Sequence, residues 1–264
     1  MNNKNPYVSI IMNCYNGEKY LRKSINSILI QEYNNWEIIF WNNNSTDNSE
    51  KIVKNFRDKR IKYFKSNKYK KLYQCRNLAI QKAKGKFITF LDVDDWWTKD
   101  KLKKQVDVIK KNKNIIIVYS NFFLFFQRTN KKKLMVSTNL PSGMIAKQLL
   151  KNYIVGILTI MIRRNVFKKF KFNINYEIIG DFDLFIRLSL KYTFHAIQKP
   201  LAYYRIHKNN FTKKKSDLYI KEIKNWLHKN ENKLRKKKIN LIFPYLLLKK
   251  LQIKKIINSI LPGM

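Results

Sequence analysis

FITFLDVDDWW, residues 87–97, sets an apolar run directly against three carboxylates. Phe87–Leu91 has the length and the aromatic and β-branched content of a buried strand. Upstream, Leu72, Cys75 and Ala79 recur at helical spacing, and Gly85 is placed to end that helix as its C′ residue. Working back toward the N-terminus, strand-like runs alternate with helix-period segments. Val8–Met12 precedes Leu21, Ile25, Ile28 and Leu29; Trp36–Trp41 precedes Ile52, Val53 and Phe56; Ile61–Phe64 precedes the helix before Phe87. A β-α-β-α-β-α-β order predicts an α/β fold, with a mostly parallel nucleotide-binding sheet flanked by helices.

In such sheets ligands gather at the carboxyl ends of the strands. Three polar segments fall there: Asn13–Glu18, the Asn42–Asp47 turn and Asp92–Asp95. Three acids in four residues at a strand end repel one another unless a positive group sits among them. Magnesium or manganese, hard cations that take oxygen ligands and tolerate phosphates, would serve. Asp92 and Asp94 are two apart, so an extended backbone points them the same way. Helix capping is the structural alternative. Asp95 precedes WWTKDKL and would cap a helix there, and Asp47 would cap the helix after its turn.

The second half is less regular. Ile115–Phe126 reads as a buried strand with a bend, since Ser120 and Asn121 interrupt it and its length is too short to span a bilayer. Leu149–Ile162 is apolar around Gly156, residues 181–190 read as a helix with acids at its start, and Leu201–Ile206 reads as a strand. Cys14 and Cys75 stand apart with no CxxC spacing, and MNNKNPYVSIIMNCYNG lacks the apolar centre of a secretory signal, so a reduced cytoplasmic setting is expected.

The chain has 264 residues and a formal net charge of +39. Such a charge draws polyanions, whether nucleic acid, phosphorylated substrates or an anionic membrane face. Abundant lysine, asparagine and isoleucine also fit A/T-rich codon usage, which would raise the charge with no partner involved. Residues 212–264 are the more densely basic part, with 15 Lys and Arg against 3 acids.

VSIIMNCYNGEKYL, EIIFWNNNSTDNS, CRNLAIQKAKGKFITFLDVDDWW, IIGDFDLFIRLS and PLAYYRIHKNN follow one another in the order and spacing of glycosyltransferase family 2, which residues 6–211 resemble. The resemblance implies a GT-A fold, a divalent metal cofactor (Mn²⁺ or Mg²⁺) and an inverting transfer from a nucleoside-diphosphate sugar. It makes Asp92-Val93-Asp94 the DXD motif, with Asp94 on the metal and Asp92 on the nucleotide ribose. Asn13-Cys14-Tyr15-Asn16 matches the loop around the nucleotide base, usually Pro-Thr-Tyr-Asn, which brings in Cys14 and Tyr15 with Glu18 just beyond. Asn42 stands where the family usually carries an aspartate for the base or ribose. Arg76 would reach nucleotide oxygens, and His207 the metal or diphosphate. Gly180-Asp181-Phe182-Asp183 replaces the family's Glu-Asp-x-Asp, and in that register Asp181 is the general base. Each of these also has an ordinary reading: core packing for Tyr15, turn chemistry for Asn42, a solvated helix arginine for Arg76, a helix-dipole pair for Asp181 and Asp183.

The expectation is therefore a GT-A domain over residues 1–211, its nucleotide half ending near residue 95 and its acceptor half following, with a basic helical tail over 212–264. Its substrates would be a UDP-sugar and a glycan or lipid-linked glycan in surface polysaccharide synthesis. A homo-oligomer and peripheral attachment of the tail to an anionic membrane face stay open. A nucleic-acid-binding module, suggested by charge alone, sits badly with the acids at 92–95 and 181–183, and no nucleic-acid partner is expected. A relative that binds sugar nucleotide without transferring it is kept open by Asn42.

Overall fold

The computed structural model describes residues 5–208, 210 and 215–260, and of 254–260 only the backbone. Strands β1 (Val8–Cys14), β2 (Trp36–Asn42), β3 (Ile61–Lys65) and β4 (Phe87–Phe90) alternate with helices α1 (Glu18–Leu29), α2 (Ser49–Asn55) and α3 (Leu72–Lys82). These four strands pair in parallel, Val8 lying beside both Trp36 and Phe87. The chain continues through β5 (Trp96–Trp97), α4 (Lys101–Lys111), β6 (Ile117–Phe126), β7 (Lys131–Leu134), α5 (Ala146–Lys151), β8 (Met161–Arg163), α6 (Gly180–Ser189) and β9 (Phe194–Ile206), then α7 (Ser216–Lys236) and α8 (Ile242–Ile260).

All nine described strands join one mixed sheet, in the order β3-β2-β1-β4-β8-β6-β9-β5 with β7 on the outer half of β6. The parallel block ends where β8 inserts antiparallel between β4 and β6. That insertion divides the Leu149–Ile162 apolar run into the end of α5, a tight turn at Ile157–Thr159 and β8. The bend expected within Ile115–Phe126 is a pair of register shifts against β9, one on each side of Asn121.

Period-two alternation assigns β1 to both cores. Val8, Ile10 and Met12 face α1, α2 and α4, packing on Leu21, Ile25, Ile52 and Leu102. Ile11 faces the other layer, built from α3, α5, α6 and α7. Helix α7 belongs to that layer: Ile223, Trp226 and Leu227 are each at most 3% exposed. Burying a side chain of this size contributes about 1.5–3 kcal/mol, so these three anchor α7 to that face.

Two structural expectations are corrected. Gly85 is not a C′ glycine, because α3 ends at Lys82 and closes through Ala83. A Cβ at Gly85 would lie 2.5 Å from the Ser9 backbone nitrogen; the glycine is needed for this chain crossing, where its N–H donates to Ser9 Oγ. Nor does Asp95 cap a helix. Trp96 and Trp97 leave it as a strand paired with β9, and α4 starts only at Lys101.

Candidate functional site

The carboxyl ends of β1 and β4 open on a cavity of about 610 Å³. Asn13, Cys14 and Tyr15 from β1 and its loop, Asp92, Val93 and Asp94 after β4, and His207 after β9 line it together with Tyr69, Lys71, Glu177 and Lys215.

The two acids of Asp92-Val93-Asp94 are held by different partners. Arg76, buried on α3, donates from Nη2 to both Asp92 oxygens at 2.7 and 2.9 Å. Asp94 Oδ2 lies 3.0 Å from His207 Nε2. Both carboxylates keep about 30% of their side-chain surface open. Asp95 is turned inward, where its Oδ1 accepts from the Arg205 N–H at 2.8 Å and its Oδ2 has no partner. Burial, reinforced by Asp94 and Asp92, pushes its carboxyl well above the usual range. It is a structural acid under the loop. Arg205 donates from Nε to the Asp94 carbonyl, and its guanidinium lies over the Tyr20 and Trp96 rings.

Asp94 and His207 fit a divalent ion. A carboxylate oxygen and an imidazole nitrogen converging within 3.0 Å at the cavity wall are donor types that such a cation accepts. One carboxylate and one imidazole would leave such an ion free to take phosphate oxygens and water as further ligands. No group of three or more His, Cys, Asp or Glu that could enclose an ion occurs among the described residues, so such a site would be completed by its substrate.

Tyr15 and Tyr69 stand edge to face at the cavity wall, with ring centroids 4.8 Å apart and half of each side chain exposed. Cys14 is buried in the floor, and burial raises its thiol pKa. Asn13 is buried beside it with an amide nitrogen that lacks a partner.

Glu18 and Asn42 do not join this cavity. Glu18 Oε2 accepts from the Asn48 backbone N–H, while Asp47 Oδ2 accepts from the Glu18 N–H and its Oδ1 from Ser49. The two acids thus cap the starts of α1 and α2 reciprocally, and Asp47 does more than cap its own helix. Asn42 is fully buried; its Oδ1 accepts from the Ser45 N–H and its Nδ2 donates to the Tyr63 hydroxyl. The polar segments at 13–18 and 42–47 largely satisfy one another. It is Asn43 that reaches the cavity wall, pairing both amide atoms with the Lys70 backbone.

Asp181 lies in the first turn of α6. Its Oδ1 accepts from the Phe182 N–H at 2.9 Å and sits 3.3 Å from the Tyr73 hydroxyl. Burial raises its pKa, against the pull of nearby Arg76. The Tyr73 hydroxyl donates at 2.7 Å to the Ile178 carbonyl, and its ring lies 5.4 Å from the guanidinium of Arg76, the partner of Asp92; Asp181 itself is not among the residues that line the cavity. Gly180, where the family carries glutamate, lies flat on Tyr73: a Cβ there would sit 2.5 Å from the ring. Asp183 is consumed by structure, accepting from Arg187 at 2.8 and 2.9 Å and from Trp226 Nε1 at 3.0 Å.

The start of α6 is capped from α7. Glu222, buried, accepts the N–H groups of Glu177, Ile178 and Ile179 at 2.7, 3.0 and 3.1 Å. Glu177 in turn pairs with Lys71 and Lys215 beside the cavity. Tyr69, Tyr73, Glu177, Arg205, Lys215 and Glu222 were beyond sequence reasoning, because each is defined by a partner distant in the chain. Arg205 alone had a local signal, lying within the YYRIH segment.

A model of glycosyl transferase family 2 matches residues 9–171. Over 165 residues the chain is 37% identical to UDP-Glc:alpha-D-GlcNAc-diphosphoundecaprenol beta-1,3-glucosyltransferase WfgD of Escherichia coli, covering 62% of this chain and 63% of that enzyme. Over 218 residues it is 29% identical to TuaG of Bacillus subtilis, a glycosyltransferase named for teichuronic acid biosynthesis, covering 81% and 85%. Among solved structures, Staphylococcus aureus TarS 1–349 with UDP-GlcNAc superposes with a TM-score of 0.63 at 17% identity, over 83% of this chain and 66% of that one. The mannosyltransferase PcManGT of Pyrobaculum calidifontis, in complex with GDP-Man and Mn²⁺, gives 0.62 at 13%, over 86% and 65%. At these identities the structural likeness carries the fold, which is the GT-A arrangement the motifs implied. With more than half its length matched, the chain belongs to glycosyltransferase family 2.

Proposed function

We propose that this enzyme moves a sugar from a UDP-sugar to a hydroxyl of a lipid-linked glycan, with inversion, in the synthesis of a surface polysaccharide. The observation that carries the reading is the neighbouring pair of acid sites. Asp92 and Asp94 face one cavity, and Asp181 neighbours Asp92 through the Tyr73 ring and the Arg76 guanidinium that lies over it. The names of WfgD and TarS supply the uridine nucleotide, and that of WfgD the lipid diphosphate acceptor.

In this reading Tyr15 and Tyr69 flank the base, with Cys14 beneath it. Asp92, fixed by Arg76 Nη2, accepts from ribose hydroxyls, and Arg76 acts by holding Asp92 in place. Asp94 and His207 hold Mn²⁺ or Mg²⁺, which when bound offsets the negative charge of the departing diphosphate. Asp181 takes the proton of the acceptor hydroxyl as its oxygen bonds to the anomeric carbon and the bond to the diphosphate breaks. A buried carboxylate with a raised pKa is suited to that step, since a base works best when its pKa lies near the working pH. Residues up to about 95 serve the donor and those to about 211 the acceptor; the 212–264 segment buttresses the acceptor side through Glu222 and Trp226.

Calorimetry with UDP, GDP and a panel of UDP-sugars, with and without Mn²⁺, tests the donor half. UDP should bind in a metal-dependent way, and Asp94→Ala should remove that dependence. Failure of every uridine nucleotide to bind in the presence of metal would overturn the donor assignment.

A further inference from the structure

Helix α8 has two apolar faces. Its inner line, Pro244, Leu248 and Leu251, packs toward α5 and α7 together with the preceding Leu241. On the opposite side Ile242, Leu246 and Ile253 are 55%, 55% and 47% exposed. At 3.6 residues per turn these three fall within an arc of about 40° centred almost opposite Pro244. Lys249 and Lys250, both exposed, lie on either side of that line. Phe243 and Tyr245 flank the patch, the Tyr245 hydroxyl donating to Glu231 of α7, while Leu247 turns back toward Pro244 and the pocket against α5 and α7. Six of the eleven exposed large apolar side chains among the described residues lie within these twelve positions. Ordinary surface helices scatter such residues singly; a contiguous group marks a surface that meets something.

We propose that this face of α8 docks on an anionic phospholipid bilayer, with Ile242, Leu246 and Ile253 entering the headgroup–acyl boundary and Lys249 and Lys250 pairing with lipid phosphates. Charge selects this occupant. Residues 242–260 contain no acid, and the whole chain carries +39. A second copy on the same face would bring lysine against lysine with nothing to neutralise them. A nucleic acid would meet an apolar ridge instead of a basic groove. An anionic bilayer accepts both components at once, because apolar side chains partition into the interface while lysines extend to the headgroups. No helix among the described residues is long and apolar enough to cross a membrane, so attachment along one face is the geometry this helix offers. The inference rests on the surface of α8 alone and does not depend on the donor or acceptor assignment.

Vesicle sedimentation of the full chain, without donor or acceptor, tests it. The protein should sediment with vesicles of phosphatidylcholine and phosphatidylglycerol at low salt, and less with phosphatidylcholine alone. High salt should weaken the binding. The Leu246→Glu, Ile253→Glu double variant should lower the partition coefficient by about tenfold or more, with circular dichroism and nucleotide binding unchanged because both side chains already face solvent. Lys249→Glu with Lys250→Glu should remove most of the salt-sensitive part. Protein that stays in the supernatant over anionic vesicles at low salt would overturn the proposal, as would a double variant that binds as tightly as the parent. So would a parent chain that sediments as a dimer in the analytical ultracentrifuge while the double variant is a monomer, which would assign the face to a second copy. A chain that fails to bind nucleotide but still sediments with anionic vesicles would refute the donor assignment and leave this one standing.

Discussion

The two acidic clusters look alike in sequence and are sorted differently by the fold. Asp92-Val93-Asp94 follows a strand and Asp181-Phe182-Asp183 begins a helix, and each spaces two carboxylates two residues apart. Beyond β4 the chain is not extended as expected but makes a turn, closed by the Asp95 N–H on the Asp92 carbonyl, and in that turn both acids line the cavity. In a helix it rotates them by about 200°, so Asp181 meets Tyr73 while Asp183 turns to Trp226 and Arg187. The same spacing therefore yields two acids on one cavity in one region, and in the other it separates Asp181 on Tyr73 from Asp183 on Trp226 and Arg187. What decides the outcome is the backbone conformation and which long-range donors are within reach.

The sharpest way to break this comparison is Asp181→Asn. Turnover should fall by about 10²–10⁴-fold, the range for a lost general base, while UDP affinity stays unchanged in calorimetry. A matching loss of donor binding would show that Asp181 serves the donor cavity and that the two clusters act as one. The parent enzyme's pH profile carries the same assignment. A base acts deprotonated, and burial raises the Asp181 pKa; the acid limb of kcat should therefore lie above the ordinary carboxylate range and rise with pH through that raised value. Loss of that limb in the Asn variant's residual activity would complete the case.

Asp183→Asn should do the opposite. Its charged bonds to Arg187 are largely lost, and stability should fall by about 1.5–3 kcal/mol in urea denaturation, with turnover per folded molecule retained. An Asp183→Asn protein that is fully stable and inactive would exchange the roles of the two acids. Glu222→Gln sharpens the point with a smaller effect. Glutamine keeps one acceptor for the N–H groups before α6 and loses the other, so about 1 kcal/mol of stability should go, and kcat should drop with Asp181's positioning while UDP binding persists. Unchanged kcat would mean that α6 holds Asp181 without help from α7. Asn42→Asp should have the least effect. The side chain is buried away from the cavity and a carboxylate can accept from both Ser45 and Tyr63, so UDP affinity should not move; a change of nucleotide preference would show that the β2 end communicates with the base after all.

Much was legible without coordinates, and for a local reason. Strand period, helix period and the alternation of the two are written in neighbouring residues, so β1 to β4, α1 to α3 and the acidic strand end at Asp92–Asp95 followed from the chain alone. The ordered motifs likewise brought Tyr15, Arg76, Asp94 and His207 together before any distance was known. Partner choice was not legible. Whether a polar side chain faces a cavity or closes a hydrogen bond across the fold depends on residues tens to more than a hundred positions away: Glu18 is used by Asn48, Asn42 by Tyr63, Asp95 by Arg205 and Asp183 by Trp226. The role of α7 was hidden for the same reason, since lysine density describes its solvent face while Glu222, Ile223, Trp226 and Leu227 describe the face that holds α6. Composition and periodicity determine which elements form; the desolvation of each polar group, and hence what remains available for chemistry, is settled only when the elements pack.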